Sequence, residues 1–255
     1  MNSLSHQPFW LDPKPVMFPP THLAMTEPDG LLAVGGDLTP EWLLTAYHNG
    51  IFPWFNEDDP ILWWTPNPRF VLFLDNLKVH KSLIKTIRKQ LFHVTLDTQF
   101  KAVMQHCANT PRHGQDGTWI SDAMIEAYGQ LYQKGHAHSV EVWEDDQLVG
   151  GLYGVAIGKM FYGESMFAHK TDASKIGLIA LCQQLQAWGF LMIDTQIETP
   201  HLKTLGAKLI SREHFEVLLH QQTQLSFPPK HWQMEIDWQT PFLHPNTFPN
   251  TSPKK

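Results

Sequence analysis

The fold is decided by the stretch GKMFYGESMFAHKTDASKIGLIALCQQLQAWGFLMIDTQ, residues 158–196. Residues 160–167 form an apolar run that holds a single carboxylate, Glu164, and they predict a strand. A polar turn at 169–173 leads to Ser174, a residue type that commonly caps the N-terminus of a helix. The first half of the stretch therefore predicts a strand, a turn and the start of a helix.

The second half of the stretch predicts the body of that helix and another strand. Gly189 is a typical helix stop, and residues 190–193 form a short apolar run that leads into Asp194 and Gln196. Before the glycine, apolar side chains recur at helical spacing: Leu178, Leu181, Leu185 and Trp188. The whole stretch predicts strand, turn, helix, strand.

The polar end of the second strand is the first candidate site. Because successive strand residues point to opposite faces, we expect Asp194 and Gln196 to share one face, with Ile193 and Thr195 on the other. Open α/β sheets commonly carry their chemistry at the C-terminal ends of strands. Taken alone, Glu164 could be a rim residue and Asp194 a turn cap. Together, one crossover apart and inside apolar runs, they predict a site.

Composition limits the function classes. The 255 residues suit one large domain, or one large and one small. The net charge of −6 argues against a generally basic nucleic-acid coat, so such contacts would need a local basic patch. Two cysteines do not make a disulfide scaffold, and neither a secretory signal nor a bilayer-spanning run is visible. We therefore expect a cytoplasmic protein.

Composition shifts along the chain predict three segments. Residues 1–69 are rich in proline, glycine and tryptophan and predict a small N-terminal domain. Residues 70–240 alternate strand and helix patterns, and residues 241–255 are expected to form a flexible proline-rich tail. Trp54 and Trp63 could stack on a base or peptide, although a core role is the safer interpretation for either alone.

One basic stripe stands out in this acidic chain. Residues 78–90 have a helical pattern whose polar face carries no acid, and it includes Lys81, Lys85, Arg88 and Lys89. A solvated helix face explains most charge runs. Surface helices normally mix charges of both signs, however, so phosphate binding is an equal alternative.

Several kinds of chemistry lack their motifs. Histidines are abundant, but their spacing does not predict a metal site, and there is no H-E-x-x-H or C-x-x-C. The P-loop pattern is missing, and Gly163-Glu164-Ser165 does not continue as a serine nucleophile elbow. We therefore expect neither a metal nor a covalent enzyme intermediate.

Three separated runs belong together: residues 30–38 with 50–54, then 161–167, then 193–196. In combination they resemble one known family, the leucyl/phenylalanyl-tRNA–protein transferases, and the likeness is collinear from about Phe18 to Phe215. The resemblance implies an α+β fold: an acyl-N-acyltransferase (GNAT-like) mixed sheet with flanking helices, plus a small N-terminal α/β domain.

The resemblance also implies a reaction and its partners. Leucine or phenylalanine, and sometimes methionine, would pass from aminoacyl-tRNA to an N-terminal arginine or lysine of a protein, marking it for N-end-rule degradation. No cofactor is implied, and we expect a monomer. Coenzyme A-dependent members of the superfamily bind pyrophosphate on glycine-rich backbone amides, a place held here by residues 169–174 without that glycine signature.

Family analogy assigns roles to individual residues. Gln196 would hold the incoming amine, and Asp194 would polarise Gln196 or take up the proton, with the tRNA's terminal ribose hydroxyl as a competing relay. Glu164 would meet the acceptor's cation or join the relay. Trp54 and Trp119 would border the aminoacyl-adenosine, and Lys81, Lys85, Arg88 and Lys89 would meet tRNA phosphates. The side-chain pocket would be lined by Leu152, Phe161, Met166, Leu181, Leu185 and Ile193.

Two points qualify this assignment. Strict alternation places Phe161 and Met166 on opposite faces of one strand, so a shared pocket requires a bulge near Gly163. Two other functions also stay open: a coenzyme A-dependent N-acetyltransferase, and a non-catalytic module that binds RNA or peptides.

Overall fold

The computed structural model describes residues 7–110, 119–226 and 230–243. Its strands form two sheets, one of four strands and one of seven. None of the helices in these ranges has the length and hydropathy that a membrane span requires.

The smaller sheet is built from the first part of the chain. Its order is β1-β2-β4-β3, with β1 parallel to β2 and the other pairs antiparallel. Helix α1 (Pro40–His48) follows β2, and Thr39 and Pro40 occupy the cap and first helical positions that the sequence predicts. The strands are β1 (Phe9–Leu11), β2 (Leu31–Gly35), β3 (Phe52–Pro53) and β4 (Leu62–Trp64).

The larger sheet has the order β11-β5-β10-β9-β8-β7-β6. Strands β9 and β10 are parallel, and the other neighbours are antiparallel. The strands are β5 (Arg69–Phe73), β6 (His93–Leu96), β7 (Ala137–Glu144), β8 (Gln147–Ile157), β9 (Met160–Ala168), β10 (Met192–Gln196) and β11 (Lys208–Ile210). The predicted mixed sheet is therefore confirmed.

Helices cover both faces of this sheet, as predicted. On one face, α3, α4 and α7 pack with α1 and the smaller sheet, and on the other α2 and α5 pack with the C-terminal segment around Trp232 and Phe242. The helices are α2 (Lys81–Arg88), α3 (Phe100–Asn109), α4 (Asp122–Lys134), α5 (Ala173–Ala187), α6 (Pro200–Thr204), α7 (Arg212–Thr223) and α8 (Thr240–Leu243).

The central unit β9-α5-β10 has the predicted strand, turn, helix, strand order. Gly189 adopts a positive φ of 76° just after the helix, as a helix stop should. The predicted start at Ser174 is wrong, because the N-cap is Asp172 and Ala173 is already helical. Asp172 has a φ of 70° and accepts hydrogen bonds from Thr86 and Lys175, which fixes the turn.

The division at residue 69 stays a prediction. The two sheets separate near that point, yet side chains of both pack in one hydrophobic cluster, for example Trp42 and Tyr162. Residues 241–243, which the prediction assigns to the tail, belong to α8, and Phe242 is buried. Residues 244–255 lie outside the described ranges.

Candidate active site

The site forms where β9 and β10 separate. The two strands pair only at Phe161 with Ile193 and at Tyr162 with Asp194. One step further, Glu164 has no partner residue in β8, since Gly163 pairs with Gly154 and Ser165 with Tyr153. The predicted bulge near Gly163 is confirmed, and it brings both Phe161 and Met166 to one cavity.

Gly154 makes room for this arrangement. A Cβ atom at this position would lie 2.1 Å from the carbonyl oxygen of Tyr162 and 2.5 Å from the ring of Phe161. Only glycine allows the bulged strand to approach β8 so closely. The ring of Phe161 can therefore occupy the space beside β8.

The expected alternation along β10 fails at its end. Gln196 has a φ of 64°, and the register against β5 shifts between Asp194 and Gln196. The left-handed residue turns Gln196 towards the cavity that Ile193 and Thr195 also line. Asp194 is fully buried and is not among the side chains that line the cavity. That Asp194 and Gln196 share a face stays a prediction.

The cavity has a volume of about 580 Å³. Clefts of this size commonly bind small ligands. Eight of the predicted site residues line it: Trp54, Trp119, Leu152, Phe161, Glu164, Met166, Ile193 and Gln196. The remaining wall includes Phe52, Pro53, Tyr153, Leu178, Thr199, His201 and Leu202.

Two predicted pocket residues, Leu181 and Leu185, are not among the side chains that line the cavity. Both are fully buried on α5, and Leu178 of the same helix lines the cavity. Helix α5 is buried on nearly all sides, so the spacing of its leucines does not indicate which of them faces the cavity. The assignment of Leu181 and Leu185 to the pocket wall therefore stays a prediction.

Asp194 is held by a partner that the sequence did not reveal. Nε of Arg69 donates to Oδ1 at 2.9 Å and Nη2 donates to Oδ2 at 2.7 Å, and both side chains are buried. The rings of Phe52 and Phe215 each lie 4.7 Å from the guanidinium. A buried aspartate requires such a partner, and Arg69 at the start of a buried strand was the available signal.

Asp194 also fixes the backbone of its neighbour. The N–H of Gln196 donates to Oδ1 of Asp194 at 2.9 Å, so this carboxylate is bonded on both oxygens. Its arrangement suits a residue that orients Gln196, and it leaves a proton-accepting role to another group.

Glu164 and Gln196 meet at the cavity wall. Nε2 of Gln196 donates to Oε1 of Glu164 at 2.7 Å, and the hydroxyl of Tyr128 donates to Oε2 at 3.1 Å. Burial raises the pKa of Glu164 from 4.5 to about 7, although hydrogen bonds from Tyr47, Tyr128 and Gln196 oppose the rise. The carboxyl group can therefore exchange a proton near neutral pH.

His201 is a cavity residue that the sequence argument missed. Its Nε2 is buried and has no hydrogen-bond partner within residues 7–110, 119–226 and 230–243. Burial, followed by the charge of Lys175, lowers its pKa. A neutral imidazole at this wall can bind a polar group of a ligand.

The basic stripe lies on α2, which is shorter than predicted. The helix spans Lys81–Arg88 because His80 is extended and Gln90 turns to a φ of 52°. Lys81, Lys85, Arg88 and Lys89 are all exposed, and none forms an ion pair with a carboxylate in the part of the chain that the structure describes. Nε of Arg88 donates to the carbonyl oxygen of Phe242 at 2.8 Å.

Helix α2, which carries the stripe, is connected to the cavity wall through α6. Nε2 of His80, the cap of α2, lies 3.0 Å from the carbonyl oxygen of Thr204. Helix α6 in turn contributes His201 and Leu202 to the cavity wall. The described residues contain no group of three or more potential metal ligands.

Comparisons with known proteins point to one family. A family model described as leucyl/phenylalanyl-tRNA protein transferase matches residues 71–220, and one for the N-terminal domain of the same transferase matches residues 36–67. Two solved structures resemble the fold only weakly. They are L-PGS from Bacillus licheniformis (TM-score 0.34, 12% identity, 62% of this chain and 51% of that chain) and a GCN5-related N-acetyltransferase-like protein from Streptococcus suis (TM-score 0.30, 13% identity, 68% and 66%). Likenesses this weak carry no argument.

Sequence relatives are much closer. A leucyl/phenylalanyl-tRNA–protein transferase from Hydrogenovibrio crunogenus is 74% identical over 95% of each chain. Proteins of the same name from Shewanella piezotolerans and Cellvibrio japonicus are 54% and 53% identical, over 91% of this chain and 96% and 98% of theirs. The chain therefore belongs to the leucyl/phenylalanyl-tRNA–protein transferase family.

Proposed function

We propose that the cavity joins the aminoacyl end of a tRNA to the N-terminus of an acceptor protein. Leucine or phenylalanine, and also methionine, is the transferred residue, and the acceptor begins with arginine or lysine. The product carries a new peptide bond and is marked for N-end-rule degradation. The observation that carries this proposal is the contact between Gln196 and Glu164 at the wall of a partly apolar cavity. The reaction belongs in the cytoplasm, where charged tRNA is available.

The donor side chain occupies the apolar part of the cavity. That part is walled by Leu152, Phe161, Met166, Leu178 and Ile193. The flexible thioether of Met166 adapts to side chains of different shape, which suits leucine, phenylalanine and methionine.

The terminal adenosine of the donor lies against Trp54 and Trp119. Both rings line the cavity, and indole faces stack bases without sequence preference. Nε1 of Trp64 donates to the carbonyl oxygen of Trp54 at 2.7 Å, which fixes this part of the wall. The acceptor stem then runs towards Lys81, Lys85, Arg88 and Lys89, whose phosphate contacts position the tRNA without reading its sequence.

The chemistry is aminolysis of an ester. The acceptor amine has a pKa of roughly 7.7–8.0, so part of it is already nucleophilic at neutral pH. Its nitrogen bonds to the ester carbonyl carbon, the bond from that carbon to the ribose oxygen breaks, and the ribose oxygen takes up a proton. Gln196 orients the amine, and Glu164 accepts the proton that the amine loses.

Asp194 acts on these steps indirectly, through Gln196. Because Arg69 and the N–H of Gln196 already bond its carboxylate, we assign it to positioning Gln196. The ribose hydroxyl of the tRNA is the competing proton relay. That route predicts a rate that keeps its pH dependence when Glu164 is replaced.

The larger sheet and its helices form an acyl-N-acyltransferase (GNAT-like) domain that works without coenzyme A. The start of α5, where coenzyme A-dependent relatives bind pyrophosphate, holds the carboxylate of Asp172 between Thr86 and Lys175. A fixed negative charge at this position disfavours a pyrophosphate. The residues therefore do not fit coenzyme A.

The test mixes leucyl-tRNA with a peptide that begins with arginine and follows amide formation. We expect turnover by the purified monomer, and no transfer to a matched peptide whose N-terminus is acetylated. Tight binding of acetyl-coenzyme A would instead favour the acetyltransferase alternative. Binding of both substrates without turnover would favour the non-catalytic one.

A further inference from the structure

Two tyrosines lie behind Glu164, on the side away from Gln196. The hydroxyl of Tyr128, on α4, donates to Oε2 at 3.1 Å, and the hydroxyl of Tyr47, on α1, is hydrogen-bonded to that of Tyr128. Since Gln196 bonds the other oxygen, both oxygens of the carboxylate are held. Both tyrosine side chains are fully buried.

Other tyrosines fix this pair in place. The ring of Tyr47 packs on that of Tyr162 with centroids 4.8 Å apart, and the hydroxyl of Tyr162 donates to the backbone carbonyl of Tyr47 at 2.8 Å. The ring of Tyr128 makes an edge contact with Tyr153 at 5.7 Å. Neither hydroxyl can therefore leave Glu164 by a simple side-chain rotation.

The direction of the bond between Tyr128 and Glu164 follows from donor counting. A tyrosine hydroxyl has one proton, and Tyr128 gives its proton to Glu164. The hydroxyl of Tyr47 is hydrogen-bonded to that of Tyr128 and also acts on Glu164, so the two hydroxyls form one donor pair behind the carboxylate. Burial, and then the charge of Glu164, raises the pKa of both tyrosines well above the usual value of 10.0, so both remain donors.

We propose that Tyr128 and Tyr47 are positioning residues for Glu164: their hydroxyls hold its carboxylate against Gln196 and favour its charged form. The inference rests on the proposed function, in which Glu164 accepts a proton. It also gives the smaller sheet a part in the reaction, since α1 connects β2 to β3 and carries Tyr47.

The proposal depends on which other groups act on Glu164. The charge of Asp194 opposes the charged form, but Arg69 pairs with Asp194 and reduces this effect. The titratable and charged groups around the carboxylate are Tyr47 on α1, Tyr128 on α4, Tyr162 on β9, Asp194 on β10 and Arg69 on β5. Among them, the two hydroxyl donors favour the carboxylate.

The test measures the titration of Glu164 directly, by NMR of protein labelled with ¹³C at glutamate side-chain carboxyls. The resonance is assigned by its loss in Glu164→Gln. In Tyr128→Phe we expect the midpoint to rise by about one pH unit, because a hydrogen bond that favours the carboxylate is lost. Tyr47→Phe should give a rise in the same direction.

Tyr132→Phe is the matched control. Tyr132 lies on the same helix and donates to the carbonyl oxygen of Asp97 at 2.8 Å, away from Glu164, so its loss should leave the midpoint in place. An unchanged midpoint in Tyr128→Phe, or an equal shift in Tyr132→Phe, overturns the proposal.

A kinetic readout separates this inference from the proposed function. With saturating peptide, the midpoint of kcat against pH in Tyr128→Phe should rise together with the NMR midpoint. An NMR shift without a kinetic shift supports the positioning and contradicts Glu164 as the proton acceptor.

Discussion

Asp194, on β10, and Glu164, on β9, have opposite environments: Asp194 is fully buried away from the cavity lining, here called the inner side, and Glu164 lines the cavity. On the inner side, Asp194 is matched by a guanidinium and a backbone N–H, so its charge is compensated. On the cavity side, Glu164 is held by neutral donors, and burial raises its pKa to about 7. The difference teaches that an acid fixed by a cation serves as a structural anchor, whereas one held by neutral groups can exchange a proton.

The largest expected effect is on the cavity side. Glu164→Gln keeps the shape of the side chain and removes the proton acceptor, so we expect kcat for leucine transfer to fall by about 100- to 10,000-fold. Single-turnover amide formation measures this. Glu126→Gln, an exposed change on α4, is the control and should retain wild-type turnover. A loss of kcat below tenfold in Glu164→Gln would indicate that the ribose hydroxyl, and not Glu164, relays the proton.

On the inner side the first effect is on stability. Asp194→Ala leaves Arg69 buried without its partner, so we expect a loss of about 3–5 kcal/mol in the free energy of unfolding, together with loss of transfer. Asp194→Ala therefore lowers the stability of the fold, which an activity assay alone would not reveal. Denaturant titration followed by circular dichroism measures the loss.

A double variant separates the anchor from the chemistry. Arg69→Met with Asp194→Leu replaces the buried pair by apolar groups and should recover most of the stability. Transfer should stay low, because the N–H of Gln196 has lost its acceptor. Full activity in the double variant would show that Asp194 does not position Gln196.

The raised pKa of Glu164 also predicts how stability depends on pH. The unfolded chain releases this proton near pH 4.5 and the folded protein near pH 7, so the folded state binds more protons within that window. The free energy of unfolding therefore falls as pH rises through the window, by about 3 kcal/mol from this group. Glu164→Gln lacks the titrating group. Urea titrations should therefore show that its free energy of unfolding, relative to that of wild type, increases by that amount between pH 4 and pH 8. A constant difference between the two proteins would mean that Glu164 titrates normally.

The apolar wall sharpens the comparison between cavity and core. Met166→Ala should change the ranking of leucyl-, phenylalanyl- and methionyl-tRNA, since Met166 lines the cavity. Leu181→Ala should cost about 2–5 kcal/mol of stability and leave the ranking unchanged, since Leu181 lies in the core. Competition between the three charged tRNAs measures the ranking. A changed ranking of the three tRNAs in Leu181→Ala would show that Leu181 lines the pocket.

The smallest effect concerns the tRNA body. Replacing Lys81, Lys85 and Lys89 by alanine removes three exposed cations, and Arg88 is left in place because it bonds Phe242. The slope of log affinity against log salt should become shallower by up to about 3. The matched control replaces the exposed Lys14, Lys101 and Lys134. Equal salt dependence of tRNA binding in both triple variants would show that the basic stripe does not contact the tRNA.

The sequence predicts the scaffold better than the site. The order of β9, α5 and β10 follows from local periodicity, and the bulge at Glu164 follows from the need to bring Phe161 and Met166 together. The partner of Asp194 does not follow, because Arg69 is 125 residues away in the chain. The positive φ of Gln196 has no local sequence signal either, since glutamine rarely adopts it.

The most direct test of the central claim is the pH dependence of kcat in wild type and Glu164→Gln, with saturating arginine-initiated peptide and leucyl-tRNA. We predict a wild-type rate that rises with a midpoint near pH 7 and a Glu164→Gln rate that is low and lacks this midpoint. The same midpoint in both proteins would contradict Glu164 as the proton acceptor.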